Sequence, residues 1–251
     1  MRFRLRAFGL HLAGSATLLT SVLGAFWLGW YRWPGWYLAS VLHVVGILAM
    51  VDVVLGPTLT LIVANPRKPR GMLARDIAVI VAVQLAALVY GGITLWGGRP
   101  LYYVFSADSL ELVQASDLKA DDIRVGQREN PGLAPYWYSR PRWIWAPLPD
   151  NPEEAQKIVA GTITGGTDVV QMPRFFRPWS EGLPALRKRL LKLDDLKYFN
   201  PAEKQSLRAR LVQAGIAPGQ PDTMVMWGGT RRVLAVFDPD TLALRALIRA
   251  D

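Results

Sequence analysis

The stretch that decides the architecture is residues 36–63, which read WYLASVLHVVGILAMVDVVLGPTLTLIV. It is one of three apolar runs. The others lie at about residues 7–30 and 77–96, and no run of that length follows Gly98. A helix that crosses a bilayer needs about 20 mostly apolar residues, and each run meets that length. The sequence therefore predicts a three-helix transmembrane domain over residues 1–97 and a polar domain over residues 98–251.

The positive charges favour one orientation of these helices. Arg2, Arg4 and Arg6 precede the first run, and four more cations lie between the second and third runs: Arg67, Lys68, Arg70 and Arg75. The connection between the first two runs carries Arg32 as its one cation. Because cytoplasmic loops are enriched in Lys and Arg, we expect a cytoplasmic N-terminus and a C-terminal domain on the far side of the membrane.

Aromatic residues where the first two runs meet agree with this orientation. Their amphipathic rings suit the headgroup layer, so we expect six of them at the outer surface: Trp27, Trp30, Tyr31, Trp33, Trp36 and Tyr37. A cleaved signal peptide is the alternative for the first run, with residues 2–6 as its charged region and residues 18–25 as its apolar part. The run ends in tryptophans rather than in a clear cleavage site, which favours a retained helix.

Asp52 is an acidic residue deep in an apolar run. Burying a carboxylate near mid-bilayer costs several kcal/mol, so such residues are usually functional. Gly56 and Pro57 follow one turn later, and Pro57 frees the carbonyl of Val53, which predicts a kinked or thinned helix. Two interpretations stay open: a hydrogen bond from Asp52 to Gln84 or to a threonine, or a contact with the transmembrane helix of a partner.

On the second interpretation, the partner-binding residues in the membrane are Asp52, Gly56, Pro57 and Gln84. His43 lies in the same run, but nine residues of straight helix place it on the opposite face from Asp52 and about 13 Å away, which argues against a proton relay. We expect the other two runs to offer Asp52 few polar groups.

Beyond Gly98 the sequence alternates between strand-like and helix-like segments. Residues 101–105 and 110–113 predict a hairpin, turned by Ser106, Ala107, Asp108 and Ser109. Asn-Pro pairs at 151–152 and 200–201 predict two helix starts, and residues 183–196 predict a further helix. Strands are predicted at about 225–227, 232–237 and 242–248. The expected fold is therefore α+β, with one antiparallel sheet flanked by helices.

Residues 127–149 form a stretch rich in prolines and aromatic residues, which opposes regular helix. One interpretation is an irregular loop packed on the sheet. The other is an exposed aromatic surface that docks a peptide or lies on lipid. On that interpretation, the partner-binding residues of the outer domain are Tyr136, Trp137, Trp143 and Trp145.

The residue content argues against catalysis. The chain has no cysteine, and its histidines, His11 and His43, both lie in the membrane part, so the outer domain cannot hold a Ser-His-Asp triad or a His-based zinc site. The net charge of +9 comes mostly from the membrane part, where eight Lys and Arg oppose Asp52 and Asp76, so we do not expect nucleic acid as a partner. We predict no catalytic residue, no metal and no cofactor.

A series of segments resembles, in order and spacing, the type IV pilin accessory proteins of the TfpX/TfpZ kind. The segments are residues 4–8, 11–12, 52–57 with 60–61, 76–80, 84–88, 90–91, 98–100, 104–105 with Asp108, 172–176, and 233–237 with Asp238 and Thr241. This resemblance covers almost the whole chain, and residues 52–57 are its most recognisable part.

The resemblance implies a non-enzymatic, multi-pass protein of the bacterial inner membrane with a periplasmic C-terminal domain. Such proteins serve type IV pilus biogenesis in a chaperone-like way, by binding or stabilising their cognate major pilin and promoting its assembly. The implied partners are the transmembrane helix of the pilin, with its head and the inner-membrane assembly proteins as open alternatives, and the lipid bilayer. The competing interpretation is a membrane-tethered periplasmic sensor or scaffold that binds a ligand or another envelope protein.

Overall fold

The computed structural model describes residues 1–107, 109–217 and 222–250. These residues form two compact units, one made of helices and one built on a sheet. The helical unit comprises Met1–Arg32 and Val41–Gly98. The sheet unit comprises Trp33–Ser40 together with the described residues from Arg99 onward. The chain therefore passes between the two units three times.

Three helices of the helical unit are long and apolar enough to cross a membrane. In chain order the elements are α1 (Arg2–Gly29), the short α2 (Gly35–Leu38, in the sheet unit), α3 (Leu42–Ala49), a π-helical segment (Met50–Leu55), α4 (Gly56–Val63) and α5 (Arg70–Gly97). The second long helix begins at Leu42 rather than at residue 36, because residues 33–40 fold with the sheet.

Pro57 interrupts the second long helix as predicted, and the interruption is a π-helical segment. Pro57 has no backbone N–H, so it cannot donate to the carbonyl one turn earlier. The wider turns of Met50–Leu55 accommodate this break. Helix α4 then begins with Pro57 in its first turn, where the missing donor costs nothing.

The sheet unit contains a seven-stranded sheet in the order β4-β3-β1-β2-β5-β6-β7. The strands are β1 (Pro100–Ser106), β2 (Ser109–Gln114), β3 (Arg142–Trp145), β4 (Arg177–Pro178), β5 (Asp222–Gly228), β6 (Arg231–Phe237) and β7 (Leu244–Arg249). The predicted hairpin is the β1–β2 pair, although Asp108 of its turn lies outside the described residues, as does Asp251.

The sheet is mixed, so the prediction of one antiparallel sheet is wrong. β3 runs parallel to β1, and β5 runs parallel to β2. Long crossover connections join the two strands of each parallel pair, as parallel pairing requires. At the two edges of the sheet the strands pair antiparallel: β3 with β4 at one edge, and β5 with β6 and β6 with β7 at the other.

Besides α2, the described residues of the sheet unit form four α-helices: α6 (Ala120–Glu129), α7 (Pro152–Ile163), α8 (Trp179–Arg187) and α9 (Pro201–Gln213). The side chain of Asn151 caps α7, and Asn200 and Glu203 form a capping box at α9, as the two Asn-Pro starts predicted. The helix predicted over residues 183–196 is wrong, because α8 ends at Arg187 and Leu191 then pairs with Thr223.

The core of the sheet unit lies on both faces of the sheet. β1 is buried along its length, and its side chains alternate between the faces. Tyr103 and Phe105 join one cluster, whereas Tyr102 and Val104 join the other. A third cluster packs α9 against β5 and β6.

The segment Trp33–Ser40 is part of this core. Leu38 packs against Gly228, where an added Cβ would come within 2.6 Å of the Leu38 carbonyl oxygen. The Tyr37 ring is buried, and the guanidinium carbons of Arg231 and Arg249 lie 5.2 and 4.6 Å from its centroid. The Tyr37 ring is therefore enclosed by protein rather than exposed at the surface of the sheet unit.

Candidate functional site

Polar side chains from all three long helices meet inside the helical unit. His11 and Ser15 lie one turn apart on α1, Asp52 lies in the π-helical segment, Thr60 on α4 and Gln84 on α5. We call these five residues the polar cluster. Because each helix contributes at least one of them, the cluster joins segments that are far apart in sequence.

Hydrogen bonds connect the polar cluster. Nε2 of His11 lies 2.7 Å from Oε1 of Gln84, and Nδ1 of His11 lies 2.5 Å from the Thr60 hydroxyl. Nε2 of Gln84 donates to the backbone carbonyl of Asp52 at 3.1 Å and to the Ser15 hydroxyl at 3.3 Å. An imidazole with its proton on Nε2 satisfies this pattern, since it donates to Gln84 and accepts from Thr60.

Asp52 is buried at 4% exposure, and its Oδ2 has no hydrogen-bond partner among the described residues. Gly56 lies beside the amide of Gln84, and a Cβ at Gly56 would overlap that amide. The absence of a side chain at Gly56 therefore leaves the space through which Gln84 reaches the cluster.

A half-open groove of about 530 Å³ lies between α1 and α5. Both helices pack against α4 but touch each other little, which leaves this space unfilled. The polar cluster lines the groove together with a larger set of apolar or small residues: Ala7, Leu10, Gly14 and Leu18 from α1, and Ile77, Val81, Leu85 and Leu88 from α5. We call this space the lateral groove. It combines apolar walls with a small number of polar atoms, as ligand and helix sites in membrane proteins do.

The structure separates the four predicted membrane residues by role. Asp52 and Gln84 line the lateral groove, and Gln84 binds the Asp52 backbone. Gly56 and Pro57 are buried and shape the helix at this level. His43 is exposed, away from the cluster, as its helical spacing predicted.

The sequence argument missed His11, Ser15 and Thr60. It expected the first run to offer Asp52 few polar groups, and that expectation is wrong because α1 brings both His11 and Ser15 to the cluster. A signal was present: side chains four residues apart share a helix face, and this spacing joins His11 to Ser15 and Gly56 to Thr60.

The predicted aromatic residues of the outer domain do not form one surface. Trp143 packs on Tyr103 and Trp179, and Trp145 lies under Gly182 of α8. Tyr136 and Trp137 instead lie in the loop before β3.

In that loop, Trp137 is 73% exposed and its neighbour Tyr138 is 60% exposed. The stretch is thus in part a packed segment and in part an exposed aromatic loop.

Shifted pKa values in the sheet unit follow from packing and capping. Burial raises the pKa of Tyr102 to about 12 against the opposing charge of Arg142, and burial also raises the pKa of Asp117. Hydrogen bonds, foremost from the backbone N–H of Thr241, lower the pKa of Asp238 to about 2. Because these groups serve turns, caps and buried contacts, we assign them structural roles.

The described part of the chain contains no group of three or more His, Asp or Glu side chains arranged to hold a metal ion. The lining of the lateral groove suits an apolar ligand that carries a hydrogen-bonding group. A transmembrane helix and an acyl chain are two such ligands.

Comparison with known proteins places the chain beside proteins of fimbrial assembly. It is 24% identical over 216 residues to the fimbrial assembly protein of Dichelobacter nodosus serogroup E1, covering 84% of this chain and 81% of that protein. The same values hold for the protein of serogroup I. The protein of serogroups C1 and C2 is 28% identical over 121 residues, which is 48% of this chain and 92% of that protein.

No protein-family model and no solved structure matches the chain. The similarity to the fimbrial assembly proteins extends over most of the sequence for two of these relatives, so it involves both the helical and the sheet unit.

Proposed function

We propose that the protein is a non-enzymatic accessory protein of the TfpX/TfpZ type, which lies in the bacterial inner membrane and serves type IV pilus biogenesis. In this proposal it holds the apolar helix of its cognate major pilin in the lateral groove and releases the pilin to the assembly machinery. The names of the relatives support a role in fimbrial biogenesis.

The single observation that carries the proposal is the lateral groove itself. A pilin precursor holds one apolar helix in the membrane, and a groove between two long apolar helices is a surface on which such a helix can pack. Ala7 and Gly14 line the groove on α1, and small residues let two helix backbones approach closely.

The polar cluster suits reversible binding. Between membrane helices a hydrogen bond contributes only about 0.6 kcal/mol on average and up to about 2 kcal/mol, because the polar groups of separated helices also find partners within the membrane. Within the described part of the chain, the buried Oδ2 of Asp52 has no hydrogen-bond partner, so a donor on the incoming helix would satisfy it after a small rearrangement. Hydrogen bonds with free energies of this magnitude favour binding of the pilin helix without preventing its release.

The sheet unit supports the three-pass topology of the proposal. Trp33–Ser40 connects α1 to α3 in sequence, yet its residues Tyr37 and Leu38 are buried in the same core as β1 and β5. In the proposed topology, residues 33–40 and the sheet occupy the same side of the membrane. The chain between Val41 and Gly98 then makes the two crossings that leave that side and return to it. Together with the positive charges near the N-terminus, this supports a periplasmic sheet unit.

Two competing functions receive less support. A sensor that binds a ligand with the aromatic stretch would need Trp143 and Trp145 to face a pocket, but internal packing occupies both rings. A proton or ion pathway would need an open chain of polar groups at Asp52. Both nitrogens of His11 and both ends of the Gln84 amide already have partners within the cluster.

Co-purification of the full-length protein with pilin from membranes tests the proposal. Gly14→Leu should fill the groove and reduce the captured pilin severalfold at unchanged protein level. Gly9→Leu is the matched control, since Gly9 also has open space around it on α1 but does not line the groove. Equal capture by both variants would contradict the groove as the pilin site.

A second pair of variants tests the polar cluster. Asp52→Leu should weaken pilin capture, whereas His43→Leu changes an exposed polar residue of the same long helix and should leave capture intact.

A deletion strain scored for surface pili and total pilin then separates an effect on pilin stability from an effect on assembly. Full piliation and normal pilin level in that strain would argue for the sensor or scaffold function.

A further inference from the structure

The loop before β3 exposes two large aromatic side chains at one end of the sheet. Trp137 and Tyr138 are 73% and 60% exposed, and their rings contact each other edge to face with centroids 5.6 Å apart. Tyr138 also stacks on Tyr136, with centroids 5.7 Å apart. Arg140 lies two residues after Tyr138 and is exposed. The loop thus carries an amphipathic aromatic pair beside a cation.

Strand register locates this loop. β1 begins at Pro100, two residues after the last residue of the helical unit, Gly98. β3 runs parallel to β1, with Arg142 opposite Tyr102. Residues that precede Arg142 therefore enter the sheet at the end where β1 starts. We call this the proximal end of the sheet.

The segment Trp33–Ser40 identifies the same end independently. Its residue Leu38 packs on Gly228, at the end of β5, and Tyr37 lies against Arg231 and Arg249. Arg231 begins β6 and Arg249 ends β7, so both belong to the proximal end. Two separate connections to the long apolar helices thus meet the sheet at its proximal end.

The loop is held firmly in place. The guanidinium group of Arg142 donates to the carbonyls of Gly132, Leu133 and Ala134 at 3.0 to 3.2 Å, and the Tyr102 hydroxyl donates to Leu133 at 2.8 Å. Two further hydrogen bonds close a turn around Trp137 and Tyr138: the Ser139 N–H donates to the Tyr136 carbonyl, and the Tyr136 N–H donates to the Ser139 hydroxyl.

We propose that Trp137, Tyr138 and Arg140 form a lipid-contact surface that rests in the headgroup layer of the membrane crossed by the long helices. Trp and Tyr favour that layer because their rings are apolar at one end and polar at the other. The Arg140 guanidinium complements the phosphate of anionic lipids. This contact restrains the sheet unit at the bilayer surface and is independent of pilin.

Single-cysteine labelling of the full-length protein tests the proposal, since the chain has no cysteine of its own. Trp137→Cys and Tyr138→Cys carry an environment-sensitive fluorophore, and the protein is reconstituted in vesicles of phosphatidylethanolamine and phosphatidylglycerol without pilin. Lipids with a nitroxide on the headgroup should quench both labels severalfold more than a label at Ile163→Cys. Ile163 is 81% exposed and lies near Ser106 and Ser109, at the opposite end of the sheet.

Quenching at positions 137 and 138 that is no stronger than at position 163 would overturn the proposal. A photoreactive phenylalanine derivative at position 137, in cells that express the pilin, provides a second measurement with an aromatic side chain kept in place. Phospholipid adducts support the lipid contact. Protein adducts without lipid adducts would overturn it and identify a protein-docking surface. Because the vesicles contain no pilin, the quenching at positions 137 and 138 does not depend on the proposed pilin function.

Discussion

His11 and Gln84 are 73 positions apart in sequence, yet Nε2 of His11 lies 2.7 Å from Oε1 of Gln84. This hydrogen bond links α1 to α5, two helices that otherwise touch little. Gln84 also binds the Asp52 backbone, so a single amide connects all three long helices. A displaced amide would therefore lose the hydrogen bonds that join α5 to α1 and to the Asp52 backbone beside the lateral groove.

Gly56→Ala should break this arrangement, because the added methyl group would overlap the Gln84 amide. We expect a loss of about 1–2 kcal/mol in unfolding free energy, the scale of the hydrogen bonds lost between membrane helices. The measurement is the unfolding of the full chain in mixed micelles titrated with a denaturing detergent.

Gly46→Ala is the matched control, since a Cβ there meets nothing within 4 Å. It should leave stability unchanged or raise it, because Ala favours helix over Gly by up to about 1 kcal/mol. In a Gln84→Ala background the cost of Gly56→Ala should disappear. Additive costs of the two substitutions would show that Gly56 acts independently of Gln84.

Tyr37→Phe should be neutral or slightly stabilising. The Tyr37 hydroxyl is buried without a hydrogen-bond partner among the described residues, so removing it removes an unsatisfied polar group while the ring stays between Arg231 and Arg249. Tyr37→Ala should instead destabilise the sheet unit by about 3–5 kcal/mol, the usual cost of emptying a large aromatic site. Thermal unfolding of both variants provides the comparison, and a large loss with Tyr37→Phe would reveal a hidden partner of the hydroxyl.

Gly228→Ala should release the segment Trp33–Ser40 from the sheet. The new methyl group would meet the carbonyl of Leu38, which is backbone and cannot rotate away, so we expect a cost of about 1–3 kcal/mol. Limited proteolysis should then cut within residues 33–40 faster than in the parent chain. Gly132→Ala, where a Cβ has open space, should leave the cleavage rate unchanged.

Asp238 should make the stability of the sheet unit depend on pH in the acid range. Its pKa is lowered to about 2 by hydrogen bonds, the largest from the Thr241 N–H, whereas an unfolded Asp titrates near about 3.9. The stabilisation is thus complete above about pH 4 and is lost as the pH falls through about 2. The difference in melting temperature between the parent and Asp238→Asn should shrink over that window.

Arg245→Gln is the informative companion of Asp238→Asn. It removes the ion pair with Asp238 but leaves the backbone donors of Asp240 and Thr241 in place. Most of the acid dependence should therefore remain. Its complete disappearance would show that the arginine, rather than the backbone, holds the carboxylate.

The helix starts show what local sequence can predict. Asn151 and Asn200 each precede a proline, and each caps the helix that the pattern predicted. Their signals reside within four residues, because a capping side chain bonds the backbone of its own turn. Residues 183–196 show the limit: their leucine spacing is helical, but the pairing of Leu191 with Thr223 ends the regular helix early.

Local sequence was enough to predict three helices of membrane length, an interruption at Pro57 and a C-terminal unit of alternating strands and helices, because composition and periodicity act within a few neighbouring residues. Other features required the folded chain: β3 runs parallel to β1 and β5 to β2, Trp33–Ser40 joins the sheet, and His11 reaches Gln84. These features are contacts between distant parts of the chain. Their free energy comes from packing and hydrogen bonds that exist only once the elements have met.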